Sequence, residues 1–183
     1  MGEKNMGLPQ IEEDIAFVLS TEQHAELISD VLVIENKTSP YHNEVINKIS
    51  TALNVYIMSN NGSCKVYTEN VALFAGELKD KKDNDIFQPD VMVVCDTTGI
   101  KDDGVHCAPR LVVEVTSPST RGHDYNEKRE SYRKIGVEEY WIIDIQRHIA
   151  IQHLSKEDFV STFKQGNEIE FSSYPGLKIP VEI

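Results

Sequence analysis

A carboxylate in the middle of an apolar strand is the first residue that asks for a chemical explanation. Glu114 sits inside Leu111-Val112-Val113-Glu114-Val115-Thr116, where apolar neighbours predict burial on both faces. An unpartnered carboxylate buried there costs several kcal/mol, so a cation or a strong donor must lie close. Asp90 is the second such residue. It follows Pro89 directly and opens the apolar run Val91–Val94. Two strands that each offer one acid can bring both to one sheet edge. Paired hard oxygens suit a divalent ion such as Mg²⁺, whose waters serve as nucleophiles. A plainer account stands beside this one: an Asp at a strand start is ordinarily a turn residue, and an Arg or Lys could pair Glu114 for structure alone.

The third element is Ser117–Tyr132, which reads SPSTRGHDYNEKRESY. Asp124, Lys128 and Tyr132 fall at i, i+4 and i+8, along one helical face. Lys128 can thus project toward the sheet edge that carries Glu114, where an ammonium stabilises developing negative charge or holds an attacking water. The ordinary alternative is an exposed ion pair between Asp124 and Lys128. Asp124 also reads as a helix cap with Glu127, and Tyr132 as core.

The elements that must position these residues come from periodicity. Met1 to Pro9 reads as a flexible tail and residues 10–183 as a single domain. Thr21–Ile28 reads as a helix and Val31–Ile34 as a strand. Tyr41–Met58 is a long helix with Val45, Ile49, Leu53 and Tyr56 as its buried stripe, closed by turn residues Asn60-Asn61-Gly62. Short strands follow at Lys65–Thr68, Val71–Ala75, Pro89–Cys95 and Leu111–Thr116. A helix starts at Asp124 and ends at Gly136. Glu139–Asp144 and Ile149–Leu154 form a hairpin through Gln146-Arg147, with Phe159–Phe163 and Leu177–Val181 as edge strands finishing the sheet. This order predicts an α/β fold, a mixed sheet flanked by helices.

Composition narrows the function. The 183 residues carry 18 Lys and Arg against 30 Asp and Glu, a net charge of −12 that excludes a generic DNA-coating protein. The segment from Arg110 to Lys134 runs the other way: Arg110, Arg121, Lys128, Arg129, Arg133 and Lys134 face Glu114, Asp124, Glu127 and Glu130. The longest strongly apolar stretch, Val91–Cys95, is too short to cross a membrane. Three cysteines without CxxC spacing read as reduced thiols and a cytoplasmic location. His106-Cys107 and His123 lack zinc-ligand spacing. Ser117-Pro118-Ser119-Thr120 reads as a turn, Trp141 as a core anchor, and no phosphate-binding glycine loop is present.

The ordered set Pro89-Asp90, Leu111–Val115 with Ser117–Arg121, Asp124, Lys128, Tyr132, Gly136–Trp141 and Asp144 resembles the Uma2 family, also called DUF820, within the PD-(D/E)xK nuclease superfamily. The resemblance runs from about Glu26 to Leu154. It implies a restriction-endonuclease-like core and a metal-dependent endonuclease that cuts DNA to 5′-phosphate and 3′-hydroxyl ends. Asp90, Glu114 and the Val115 carbonyl would hold Mg²⁺ or Mn²⁺, and Lys128 would assist the attacking water. The superfamily's Glu-x-Lys motif has Thr116 where Lys belongs, and the lysine is thought to move to the next helix, matching Lys128. His42 matches a family position, and Glu44 could add an outer carboxylate; their alternatives are a packing histidine and a surface pair with Lys48. DNA binding is expected to be weak and metal-assisted, with a homodimer possible by analogy. The other readings are a catalytically silent binding or oligomerisation module, or a nuclease for RNA or single strands.

Overall fold

The computed structural model describes residues 8–34, 39–75, 85–118, 120–155 and 159–180. Its first element is a helix, α1 (Leu8–Ser20), so most of the expected tail lies outside the described residues. A hairpin follows, β1 (Ala25–Ile28) and β2 (Val31–Ile34), in register from Ala25 opposite Ile34 to Ile28 opposite Val31. Ser29 and Asp30 at its tip both take positive φ, 50° and 62°, as a tight two-residue turn demands. The helix expected over Thr21–Ile28 is therefore absent. Its apolar residues are fully buried strand positions, and strand pairing overrides their helix-like composition.

The long helix, α2 (Pro40–Ser59), is present as expected. Ser39 caps it by accepting from the His42 N–H, and Pro40 occupies the first turn, where no intrahelical donor is needed. Its buried stripe is His42, Ile46, Ile49, Leu53 and Ile57, so the expected stripe is rotated by one residue at both ends; Val45 and Tyr56 flank it half-buried. In the turn that follows, Asn61 rather than Gly62 takes positive φ, 53°. Gly62 is there for room: an added Cβ would lie 3.0 Å from Ile57 Cγ2.

Seven strands come next: β3 (Lys65–Thr68), β4 (Leu73–Ala75), β5 (Asp85–Phe87), β6 (Val91–Val94), β7 (Ile100–Lys101), β8 (Gly104–Val105) and β9 (Leu111–Thr116). The following helix is broken at Asn126 into α3 (Arg121–Tyr125) and α4 (Glu127–Ile135), and Gly136 closes α4 at φ 91°. Asp124 is consequently inside α3 and is not a cap; α4 starts at Asn126 without a side-chain cap. The chain ends through β10 (Glu139–Asp144), β11 (Ile149–Leu154), β12 (Phe159–Lys164), β13 (Glu168–Glu170) and β14 (Lys178–Pro180). β12 is an edge strand as expected. β14 pairs only with β13 in a separate ribbon, which corrects its place in the sheet, and Val181 lies outside the described residues.

Two mixed six-stranded sheets result, ordered β12-β11-β10-β9-β6-β3 and β2-β1-β5-β4-β8-β7. In the first, β9 and β10 run parallel, an arrangement that requires a crossover such as α3–α4. Strand alternation divides its side chains. Val91, Val93, Leu111, Val113 and Val115 pack with Ile46, Ile49 and Leu53 of α2. Met92, Val94, Val112 and Ile142 pack on the other side with Tyr132 of α4 and with Leu73 and Phe87 of the second sheet. Glu114 shares the parity of Val112, and so faces α4.

Cys64 and Cys95 form a disulfide, which overturns the expectation of three reduced thiols; Cys107 is free. The β3–β6 ladder explains it. Lys65 pairs with Val94, and the next rung outward sets Cys64 against Cys95.

Candidate active site

Asp90, Glu114 and Lys128 come together although they arrive on three elements. Asp90 immediately precedes β6, and its Oδ2 accepts the Val115 N–H at 2.6 Å. The Asp90 N–H points back at Glu114 Oε2, 3.4 Å away. β9 thus holds Asp90 through two consecutive residues, the Glu114 carboxylate and the Val115 N–H. Glu114 Oε1 accepts from the Tyr132 hydroxyl at 2.7 Å and from Lys128 Nζ at 3.3 Å. Tyr132 is core, as expected, and it also orients the carboxylate.

Lys128 is almost wholly buried, at 2 % exposure, and is not the exposed ion pair of the ordinary reading. Three carboxylates surround its ammonium: Glu26 at 2.7 Å, Glu114 at 3.3 Å and Asp124 at 3.5 Å. Glu26 stands on β1 of the second sheet, fully buried, with Oε1 accepting the Gln88 N–H at 2.7 Å. Burial alone would raise its pKa, yet the Lys128 charge, followed by hydrogen bonds from His24, Lys128 and Gln88, draws it down to about 2. Glu114 goes the other way. Its burial, reinforced by Asp90, Asp124 and Glu26, outweighs Lys128 and pushes it well above the usual carboxylate range. Burial raises Asp124 as well, against Lys128 and the hydroxyls of Thr116 and Thr120. The lysine's charge is therefore mainly neutralised by Glu26.

His42, at the start of the buried α2 stripe, places Nε2 3.3 Å from Asp90 Oδ2. Burial opposes its protonation, but the Asp90 carboxylate, with the nearby Val115 backbone and Glu69 adding to it, raises its pKa above the ordinary value. One ligand-type atom from each of His42, Glu69 and Asp90 lies within 4.8 Å of the others.

The chain matches the Uma2 family, described as "putative restriction endonuclease", over residues 11–182. It belongs to Uma2. Among solved structures it is similar to a putative nuclease belonging to DUF820 from Anabaena variabilis ATCC 29413, at 15 % identity and a TM-score of 0.71, covering 88 % of this chain and 89 % of that one. That likeness shows a shared α/β fold. No curated protein matches the chain.

Within this Uma2 fold, Asp90, Glu114, Lys128, Asp124 and His42 are neighbours, and the Val115 backbone joins them. Glu44 is exposed on α2, off the buried stripe. Glu26 and Glu69 escaped sequence reasoning. Glu26 follows His24-Ala25 in a stretch that reads as helix, and only the β1 position turns it inward. Three of the six cations in the expected basic stretch are committed to acidic partners. Arg121 makes a two-pronged pair with buried Asp144, at 2.9 and 3.0 Å, Arg133 pairs with Glu130 at 2.8 Å, and Lys128 is buried. Arg129 and Lys134 remain exposed. Ser117 and Thr120 cap each other's N–H groups reciprocally, as a turn should, and Trp141 is core, with Nε1 donating to Glu139. Among the described residues, no helix is long and apolar enough to cross a membrane.

Proposed function

We propose that this Uma2 protein is a divalent-cation-dependent nuclease that hydrolyses DNA phosphodiester bonds, with Asp90, Glu114 and the Val115 carbonyl as ligands and Lys128 assisting the attacking water. The observation that carries the reading is the convergence of Asp90 and Lys128 on Glu114, whose carboxylate lies within hydrogen-bond reach of the Asp90 N–H and of the Lys128 ammonium. Charge balance supports a cation there. Four buried carboxyl groups, Glu26, Asp90, Glu114 and Asp124, face the Lys128 ammonium and the imidazoles of His24 and His42. Burial holds Glu114 and Asp124 toward their neutral forms, and both would ionise more readily beside a bound cation. Hard carboxylate and carbonyl oxygens fit Mg²⁺ or Mn²⁺.

A bound divalent ion supplies an acidified water and offsets charge on the scissile phosphate. The protein's own residues supply orientation. The Val115 N–H fixes Asp90 Oδ2, while Tyr132 and Lys128 fix Glu114 Oε1. Lys128 reaches a water or phosphate oxygen only by releasing a carboxylate, and Asp124 is its most distant partner at 3.5 Å. A homodimer, one copy per strand, belongs to the same reading. The disulfide removes the cysteine argument for a cytoplasmic location.

Purified protein with Mg²⁺ or Mn²⁺ is expected to cut plasmid or short duplex DNA, and Asp90→Ala and Glu114→Ala to reduce cutting to background. Divalent-independent cutting, or cutting that survives either change, would overturn the proposal. RNA and single strands in the same assay define the substrate. The enclosure of Lys128 by three carboxylates favours one second reading, a catalytically silent module, which predicts cation binding without cleavage of any of these.

A further inference from the structure

The register that pairs Cys64 with Cys95 has a counterpart at the other end of its ladder. Thr68 pairs with Val91, so the next rung sets Glu69 opposite Asp90, and the Glu69 N–H donates to the Asp90 carbonyl at 3.4 Å. Like charges on facing rungs repel. Into this pair α2 inserts His42, more than nine-tenths buried, with Nε2 3.3 Å from Asp90 Oδ2. Its other ring nitrogen, Nδ1, is buried with no hydrogen-bond partner among the described residues. The imidazole and the two carboxylates together offer a cation one nitrogen and two oxygen donors. The 4.8 Å envelope of the three ligand-type atoms is compact enough for a cation to draw them together with small side-chain adjustments.

The donor chemistry selects the ion. Mg²⁺ favours an all-oxygen shell rich in water, whereas imidazole suits the borderline transition ions. We infer that His42, Glu69 and Asp90 form a cation position of their own, distinct from the Asp90–Glu114 pair, which takes a divalent transition ion such as Mn²⁺ in preference to Mg²⁺. It shares Asp90 with the proposed nuclease centre, and its occupancy does not depend on cleavage. Glu69 reaches it through backbone pairing alone.

Calorimetric titration of the full chain with Mn²⁺ and with Mg²⁺, combined with electron spin-echo spectroscopy of bound Mn²⁺, tests this. A site at least about tenfold tighter for Mn²⁺ is expected, with nitrogen modulation in the echo. His42→Ala should abolish that modulation, and both His42→Ala and Glu69→Gln should weaken binding about tenfold or more. Glu114→Gln should leave the nitrogen modulation in place, since the imidazole ligand belongs to this position and not to the Asp90–Glu114 pair. Glu69 is half-buried and outside the strand, so Glu69→Gln should retain the fold, checked by circular dichroism. Mn²⁺ binding unchanged in Glu69→Gln, or without nitrogen modulation, or with that modulation lost in Glu114→Gln, overturns the inference. A protein that binds Mn²⁺ through Glu69 and cuts no nucleic acid would sink the nuclease proposal alone. Mg²⁺-dependent cutting with no such Mn²⁺ site would sink this inference alone.

Discussion

Lys128 could neutralise any of three carboxylates, and the distances decide for Glu26, at 2.7 Å, over Glu114 and Asp124. The consequence is a division of labour among buried acids. Glu26 stays ionised and balances the lysine, while Glu114 and Asp124 are left with a surplus of negative charge that their burial resists. Removing Glu26 therefore leaves an ammonium buried among groups that favour their neutral forms. Glu26→Gln should lower folding stability at neutral pH by about 3 kcal/mol, the cost of breaking a buried pair, measured by urea unfolding. The depressed pKa gives the effect a direction with pH. It stabilises the fold fully above the ordinary carboxylate value of 4.5 and loses that contribution as pH falls toward about 2. The gap between wild type and Glu26→Gln should close over that window. A loss below about 1 kcal/mol, or a gap independent of pH, would show that Glu26 does not neutralise Lys128.

At the scale of elements, the β3–β6 ladder is the joint that matters, because one register sets both the disulfide and the meeting of Glu69 with Asp90. The bridge closes a loop with a sequence separation of 31, and the entropy of closing a loop of that size corresponds to about 3–4 kcal/mol. Cys64→Ser should lose a stability of that order in guanidinium unfolding, and a reducing agent should bring wild type down to the same midpoint. A midpoint insensitive to reductant would mean the bridge does not form in solution. The same ladder shows what sequence could convey. Leu111–Thr116, Glu139–Asp144 and Ile149–Leu154 are read to the residue, because continuous or alternating apolar runs are local signals. Asp90, Glu114 and Lys128 were legible for a related reason: an acid in an apolar strand and a lysine on the next helix stand out individually. Glu26, Glu69 and the cysteine pair were not. Each acquires its role from a partner distant in sequence, Glu26 from Lys128 of α4, Glu69 from Asp90 and Cys64 from Cys95, and neither the Thr68-Glu69-Asn70 segment nor a 31-residue cysteine spacing carries any local mark of it.

For the whole molecule, the net charge of −12 takes on meaning once the cations are located. The segment that runs positive in sequence does not make a broad positive face. Arg121 is committed to Asp144 and Lys128 to the interior, Arg110 is half-buried, Arg133 is exposed but paired with Glu130, and Arg129 and Lys134 stay exposed. The charged cluster instead links the two sheets, with Glu26 on one, Glu114 on the other and α4 between them. Under the proposed function, a protein organised in this way would hold nucleic acid through few phosphate contacts and leave much of the attraction to a bound cation. Duplex affinity measured by fluorescence anisotropy in chelator should be weak. With Asp90→Asn, which blocks turnover in the proposed mechanism, its logarithm should fall with log salt at a slope of about −2, since each neutralised phosphate contributes about −0.9. A slope steeper than about −4 would require a basic surface larger than Arg129 and Lys134 can supply. Substituting both by Ala should flatten the dependence nearly to zero, whereas substituting Arg121 should act on stability through the loss of its pairing with Asp144 and leave the slope unchanged.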